Sequence, residues 1–325
     1  SFSLDFLERG TFTEYPYLRL MVKFSIAIPA YKGVFFNECL NSLLQQTYSD
    51  FEIIIVDDAS PDNLFQIVEN NQDIRIQYYK NETNIGAENV VDNWNRCLQY
   101  AKGEYFLLMG DDDKVSPLYL EQFAKYIEKY PQVNVFHCRT AIIDQQSNII
   151  DLSEGWPEWE SMLDNIYHRM KDRRIQFISD FVYRTSFLKN MNGFVKFPLA
   201  WNSDDVTAFE AATNNGIVHI NEILFYYRTN PYNISTTGNW MLKAEAMLQK
   251  EKWIENRISK IDKANKQECI ICQLIQQNLP SQMHSKLLQE LSNGVKGHKI
   301  HNLFFILKKY KKYRLTFIES IHLLL

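Results

Sequence analysis

Between residues 23 and 135 the chain alternates short apolar runs with segments of helical periodicity. The runs at 24–28, 51–56, 105–109 and 133–136, with a more polar one at 74–79, are too short for helices and read as strands. The stretches 34–46, 62–69, 85–101 and 117–130 read as helices. In the third of these, Ile85, Val90, Val91, Trp94, Leu98 and Ala101 fall near one face, and Lys102-Gly103 closes it. Strands that are apolar on both faces belong in a sheet covered on both sides, and each βα unit sets the next strand parallel to the last. The expected class is α/β: a Rossmann-like, mainly parallel sheet flanked by helices. After residue 140 strand signals thin out until 217–228, and from Trp240 onward the chain reads as helical.

Ligands of such sheets bind at the carboxyl ends of the strands. Three polar groups converge there: Pro29-Ala30-Tyr31 after the first strand, Asp57-Asp58 after the second, and Asp111-Asp112-Asp113 after Gly110. Adjacent carboxylates at the end of a buried strand repel one another and resist desolvation. Two environments relieve them. A divalent cation such as Mg²⁺ or Mn²⁺ prefers carboxylate oxygen and reverses the penalty. A solvated turn that caps the next helix leaves the charges in water.

Composition narrows the choice. With 325 residues, 46% of them hydrophobic, the chain has ample material for a core. A net charge of -4 gives no reason to expect nucleic acid. Five cysteines, odd in number and mostly scattered, suit a reducing compartment, and Cys269 and Cys272 lack the second ligand pair of a zinc site. No run approaches the ~18 apolar residues of a membrane span. No signal-peptide pattern opens the chain, residues 1–20 read as a leader or extension, and Met21 reads as a natural start. The expected location is cytoplasmic. G-x-G, Walker A and G-x-S-x-G patterns are absent. A sheet that lacks glycine loops and presents carboxylates points to phosphate held through a metal.

Several ordered segments resemble family 2 glycosyltransferases of the GT-A fold. They are Phe24-Ser25-Ile26-Ala27-Ile28-Pro29-Ala30-Tyr31, Asn41-Ser42-Leu43-Leu44-Gln45-Gln46-Thr47, the 51–60 segment ending in Asp57-Asp58-Ala59-Ser60, Asn84-Ile85-Gly86, and Ala101-Lys102-Gly103-Glu104-Tyr105. The aspartate triplet, followed by Pro117, stands in the place of the family's DXD motif. The resemblance extends more weakly through Asn192-Gly193-Phe194, Ser203-Asp204-Asp205 and Tyr226-Tyr227-Arg228. It implies a nucleotide-sugar-binding half over 21–138, an acceptor-binding half over 139–238, and a helical region over 239–325.

The resemblance also implies roles. Asp58 matches the carboxylate that accepts from N3–H of a uracil-type base, whereas the adjacent Asp57 suits a turn into Pro61. Pro29 and Tyr31 match the walls of the base and ribose. Asp112 matches the metal ligand, Asp111 takes the ribose contact because Gly110 stands where the family more often has its first Asp, and Asp113 is a second ligand or a helix cap. Asp205 matches the general base of an inverting transfer, with Asp204 as cap or acceptor contact. Trp201 is placed on the acceptor side, and Arg228 matches an acceptor-side or diphosphate-side contact, with core packing or surface pairing as the alternative; Trp156, Trp159 and Trp201 are either sugar platforms or core residues. The implied reaction is metal-dependent (Mn²⁺ or Mg²⁺), inverting transfer from a nucleoside diphosphate sugar, a UDP-sugar first, to a saccharide or lipid-linked saccharide of cell-surface polysaccharide synthesis. The rival reading is a sugar-nucleotide-binding protein without turnover. Finally, Leu303, Leu307, Tyr310, Arg314, Phe317 and Ile318, among Lys308, Lys309, Lys311 and Lys312, form either a basic amphipathic helix at the inner face of a membrane or a terminal helix packed on protein.

Overall fold

The computed structural model describes residues 22–230, 239–262, 265–295, 308, 311–316 and 318–319. The leader expected over 1–20 lies outside them. Strands β1 (Phe24–Ala30), β2 (Phe51–Asp57), β3 (Ile76–Lys80) and β4 (Tyr105–Leu108) form a parallel sheet in the order β3-β2-β1-β4. Helices α1 (Phe36–Leu44), α2 (Leu64–Asn71) and α3 (Val90–Tyr100) make the crossovers.

Side chains alternate across the strands. Ile26, Ile28, Ile53, Ile55 and Leu107 pack with Leu40 and Leu43 of α1 and with Phe123 of α4 (Tyr119–Lys129). Ala27, Ile54, Val56, Phe106 and Leu108 pack with Trp94 and Leu98 of α3 on the opposite face. All four residues from Ile53 to Val56 are fully buried, each worth about 1.5–3 kcal/mol as an upper bound.

Beyond β4 the sheet becomes mixed. Strand β5 (Lys114–Val115) is followed by β6 (Val135–Ile143), β7 (Ile149–Leu152), β8 (Trp159–Glu160), β9 (Phe181–Arg184) and β10 (Ile217–Arg228). Strand β9 lies antiparallel between β4 and β6, and β10 runs parallel to β6. The two- to four-residue strands carry too little periodicity to be read from sequence, whereas β10 occupies the expected 217–228. The first strand continues through Pro29 instead of stopping there. Pro29 keeps its register with Val56 of β2, while the β1–β4 pairing ends at Ala27 opposite Leu108, where Pro29 has no N–H to carry it on.

Helices α5 (Met162–Met170), α6 (Thr185–Asn190) and α7 (Ser203–Ala211) follow, with α8 (Trp240–Ile258) and α9 (Lys266–Val295) packed on one another. No helix among the described residues is long and apolar enough to cross a membrane. Within the basic C-terminal segment, Tyr313 and Leu315 are buried against Ala244, Met247, Leu287 and Leu291. Lys312 pairs with Glu245, and Arg314 with Glu251 at 2.6 Å. Leu303, Leu307, Tyr310, Lys309 and Phe317 of the expected amphipathic helix lie outside the described residues.

Gly103 locks α3 to the sheet. A Cβ there would stand 2.6 Å from the Ser25 backbone nitrogen and 2.7 Å from the Phe24 carbonyl carbon. Its N–H also donates to Ser25 Oγ at 2.7 Å, and Ser25 Oγ donates to Glu52 at 2.6 Å. Gly103→Ala is expected to cost roughly 1–3 kcal/mol, read as a lower urea midpoint at unchanged slope.

Candidate active site

The parallel register sets the three strand ends side by side. Ala30 pairs with Asp57, and Ala27 with Leu108, so the chain leaves β1, β2 and β4 at similar heights. A cavity of about 430 Å³ opens there. Pro29, Tyr31, Asp58, Asp111 and Asp112 all line it, which brings five of the residues chosen from sequence into one place. Lys32, Asn84, Gly86, Ala87, Val90, Asn93 and Trp94 complete the wall.

Each aspartate at this edge has a different environment. Asp57 holds the turn: its Oδ1 accepts from Ser60 N–H at 2.7 Å and its Oδ2 from the Tyr78 hydroxyl. Asp58 Oδ1 accepts from Asn81 Nδ2 at 2.7 Å and from Ile85 N–H at 3.0 Å, while Oδ2 has only a longer 3.3 Å contact with Ile85 N–H. Asp111 Oδ2 accepts from both Tyr31 N–H and Lys32 N–H at 2.7 Å, which ties the turn after β4 to the loop after β1. Asp112 Oδ2 is buried and has no hydrogen-bond partner.

Asp113 points elsewhere. Its Oδ1 accepts from the backbone N–H of Arg228 at 2.8 Å, and it does not line the cavity. It does not cap a helix either, because β5 intervenes and α4 begins at Tyr119 with Leu118 at its N-cap. Arg228, expected on the acceptor side, is fully buried behind the triplet. Its Nε donates to the Asp112 carbonyl at 2.7 Å, and its two terminal nitrogens reach the Asp144 carbonyl at 3.0 Å, Ser147 Oγ at 3.0 Å and Glu38 at 2.7 Å. A planar guanidinium suits this fork of acceptors. Arg228 and Asp113 therefore hold the turn that presents Asp112.

Burial pushes the Asp111 carboxyl up to about 6, raises Asp112 and raises Asp113 well above the usual range, the last also through the Asp112 charge. A bound cation reverses this direction. No cluster of three metal-ligating side chains occurs among the described residues. The buried, unpartnered oxygen of Asp112 nonetheless fits a cation held by one carboxylate together with substrate phosphates, a common Mg²⁺ arrangement.

A second acidic centre sits at the start of α7. The approach is strained: Leu199, Ala200 and Asn202 have φ of 57°, 56° and 65°. Left-handed backbone at residues other than glycine costs of order 1–3 kcal/mol each and tends to occur where a site requires it. The short helix Pro198–Ala200 packs on Ala87–Asn89 at the rim of the first cavity, which brings the 201–205 segment next to it. Asp205 is almost fully buried; Oδ1 accepts from Arg169 Nε at 2.9 Å and Oδ2 from Lys250. Burial works against its ionised form, but the Arg169 and Lys250 charges win and bring its carboxyl down to about 2. Asp204 is half-buried and forms no ion pair among the described residues. Burial, followed by the Asp205 charge, pushes its carboxyl up to about 7.

The tryptophans separate into distinct uses. Trp156 is core, stacked on His137 and His219 with centroids 4.0 and 4.7 Å away. Trp159 is exposed and donates to the Asn215 carbonyl at 2.8 Å. Trp201 lines a second cavity with Asn202, Arg169 and Lys250. Sequence reasoning did not find Lys32, Asn93, Arg169 or Lys250. Lys32 and Asn93 were within reach, one beside Tyr31 and the other on the face of the helix that carries Trp94. Arg169 and Lys250 lie 36 and 45 residues from Asp205 and left no local signal.

Because Asp205 has a depressed carboxyl, its ion pairs stabilise the fold above about pH 4 and that contribution is lost as pH falls toward 2. Asp205→Asn leaves two partly buried cations facing each other. A loss of about 3–5 kcal/mol is expected at pH 7, shrinking in acid, by urea titrations across pH.

A family model described as Glycosyl transferase family 2 matches residues 25–190, just over half of the chain. The poly(ribitol-phosphate) beta-N-acetylglucosaminyltransferase TarS of Staphylococcus aureus is 27% identical over 214 residues, 64% of this chain and 36% of TarS. The uncharacterized glycosyltransferase EpsJ of Bacillus subtilis is 27% identical over 226 residues, 65% of this chain and 62% of its own length. The chain thus spans less than two thirds of either relative. A TarS 1–349 crystal structure with UDP-GlcNAc superposes with a TM-score of 0.63 at 19% identity, covering 93% of this chain and 89% of that one. The mannosyltransferase PcManGT of Pyrobaculum calidifontis, solved with GDP-Man and Mn²⁺, shares the fold at a TM-score of 0.53 and 15% identity, covering 93% and 85%. With the family model matched over half its length, the chain belongs to glycosyl transferase family 2.

Proposed function

We propose that the protein transfers a sugar, with inversion, from a UDP-sugar to a hydroxyl of a saccharide acceptor used in cell-surface polysaccharide or lipid-linked oligosaccharide synthesis. The observation that carries this reading is the gathering of Pro29, Tyr31, Asp58, Asp111 and Asp112 around one cavity in a family 2 chain. The UDP-GlcNAc bound to TarS supports the choice of nucleotide.

In this reading Asp58 Oδ2 accepts the base N3–H, and Pro29 and Tyr31 flank the base and ribose. Asp111, already tied to the Tyr31 loop, orients that wall. Asp112 would hold Mn²⁺ or Mg²⁺, with Arg228 and Asp113 fixing its backbone. When bound, the cation supplies positive charge for the departing diphosphate. Lys32 adds a second positive charge at the same edge.

An inverting transfer also needs a base on the acceptor side. The family pattern gives that role to Asp205. The Arg169 and Lys250 charges hold its carboxyl down, so it is unprotonated and available as the base at neutral pH. Asp205 takes the proton, and Asp204, half-buried beside it, stands as the acceptor contact.

Two measurements test this. UDP-GlcNAc with Mn²⁺ is expected to raise the melting temperature, and chelator or Asp112→Asn to remove the metal-dependent part. If no nucleotide produces a metal-dependent shift, the donor assignment is wrong. The rate should stay flat between pH 5 and 8, because the Asp205 carboxyl is already unprotonated there. Asp205→Asn, assayed where the variant is folded, should lower kcat by about 10²–10⁴ with donor affinity kept. A wild-type rate that instead rises with pH through about 7 would move the role to Asp204.

A further inference from the structure

We propose that the C-terminal helices complete the acceptor site: the cavity enclosed by α5, α7, α8 and α9 receives a neutral saccharide segment of the acceptor. This rests on the transfer reading above. The cavity measures about 580 Å³, within the range of small-molecule sites, and shares no lining residue with the donor cavity.

Its position links it to the chemistry. Trp201 and Asn202 line it and lead, through Ser203, into Asp204 and Asp205. Arg169 and Lys250 line it too, and both hold Asp205. The 198–205 segment therefore lies between the two cavities, with its strained backbone and both carboxylates.

The lining selects the ligand class. Its charges are largely compensated, by one another or from behind the wall: Lys286 pairs with Asp172 at 2.6 Å, Glu290 with Lys243 behind it at 3.6 Å, and Arg169 and Lys250 with the buried Asp205. A strongly charged ligand has little to gain there. The remaining polar groups are neutral: the amides of Asn202, Gln282, Gln289 and Asn293 and the Ser285 hydroxyl. The Asn202 Nδ2 is buried without a partner, and its Oδ1 accepts from Lys250 at 3.1 Å. A buried amide donor lacking an acceptor suits a ligand hydroxyl. Trp201 supplies an aromatic face and Met170, Met247 and Met283 adaptable apolar surface, which together suit the mixed faces of a sugar ring.

The test uses chitotriose, maltotriose and cellotriose as probes, with UDP-GlcNAc for the donor cavity, all titrated by calorimetry. Ser285 and Gln289 are exposed cavity-wall residues of α9, so Ser285→Trp and Gln289→Trp fill the space without disturbing the core. At least one triose is expected to bind the wild type and to bind each variant about tenfold more weakly or worse, with UDP-GlcNAc affinity kept. The absence of triose binding to the wild type overturns the inference, as does binding that both tryptophans leave intact. Failure of UDP-GlcNAc to bind counts against the donor reading alone, since the triose titrations judge this cavity independently.

Discussion

The parallel register of β1 with β2 and β4 is the constraint on which the site depends. It fixes where the strands release the chain, and so brings residues that are 27 to 80 positions apart to one edge. The hydrogen bonds from Tyr31 and Lys32 N–H to Asp111 then join two of those exits directly. A one-residue slip would turn the inward residues of β1 outward and separate these groups. The fully buried strand core makes such a slip costly, so packing on both faces of the sheet secures the cavity geometry.

Behind that edge, the aspartate triplet divides its work between support and presentation. Asp111 binds the neighbouring loop, Asp113 receives Arg228 N–H, and Asp112 retains a buried oxygen with no partner. Arg228 is the keystone of this turn because its guanidinium meets acceptors from three separate stretches of the chain, at Glu38, Asp112 and 144–147. The same logic governs α7. Asp205 is pinned by cations from α5 and α8, and its charge raises the proton affinity of its neighbour Asp204. The C-terminal helical region thus takes part in the electrostatics of the site through Lys250.

Residues 23–135 disclosed most of their architecture, the two-residue β5 apart, because buried parallel strands and amphipathic helices write strong periodic signals. Pro29 was misleading as a stop because its effect depends on whether a neighbouring strand still needs its N–H, which is a tertiary fact. The short strands β7, β8 and β9 were invisible for a different reason: two to four residues do not establish a period. The places of Asp58 and Asp112 at strand ends were legible from the strand pattern, while their singling out within Asp57-Asp58 and the triplet came from the family resemblance. Arg228 was legible as a residue of interest but not as a buried clamp, since its partners Glu38, Asp112, Asp144 and Ser147 are scattered.

By itself, the sequence determined the class of sheet, the edge at which a ligand would bind, and the identity of the polar groups delivered there. These follow from local pattern and from the position of each residue relative to its own strand. Only the tertiary structure decided which carboxylates are free and which are already committed. That choice depends on hydrogen bonds and ion pairs closed across long sequence separations, where a single burial or a single distant lysine reverses the preference of an aspartate for its proton.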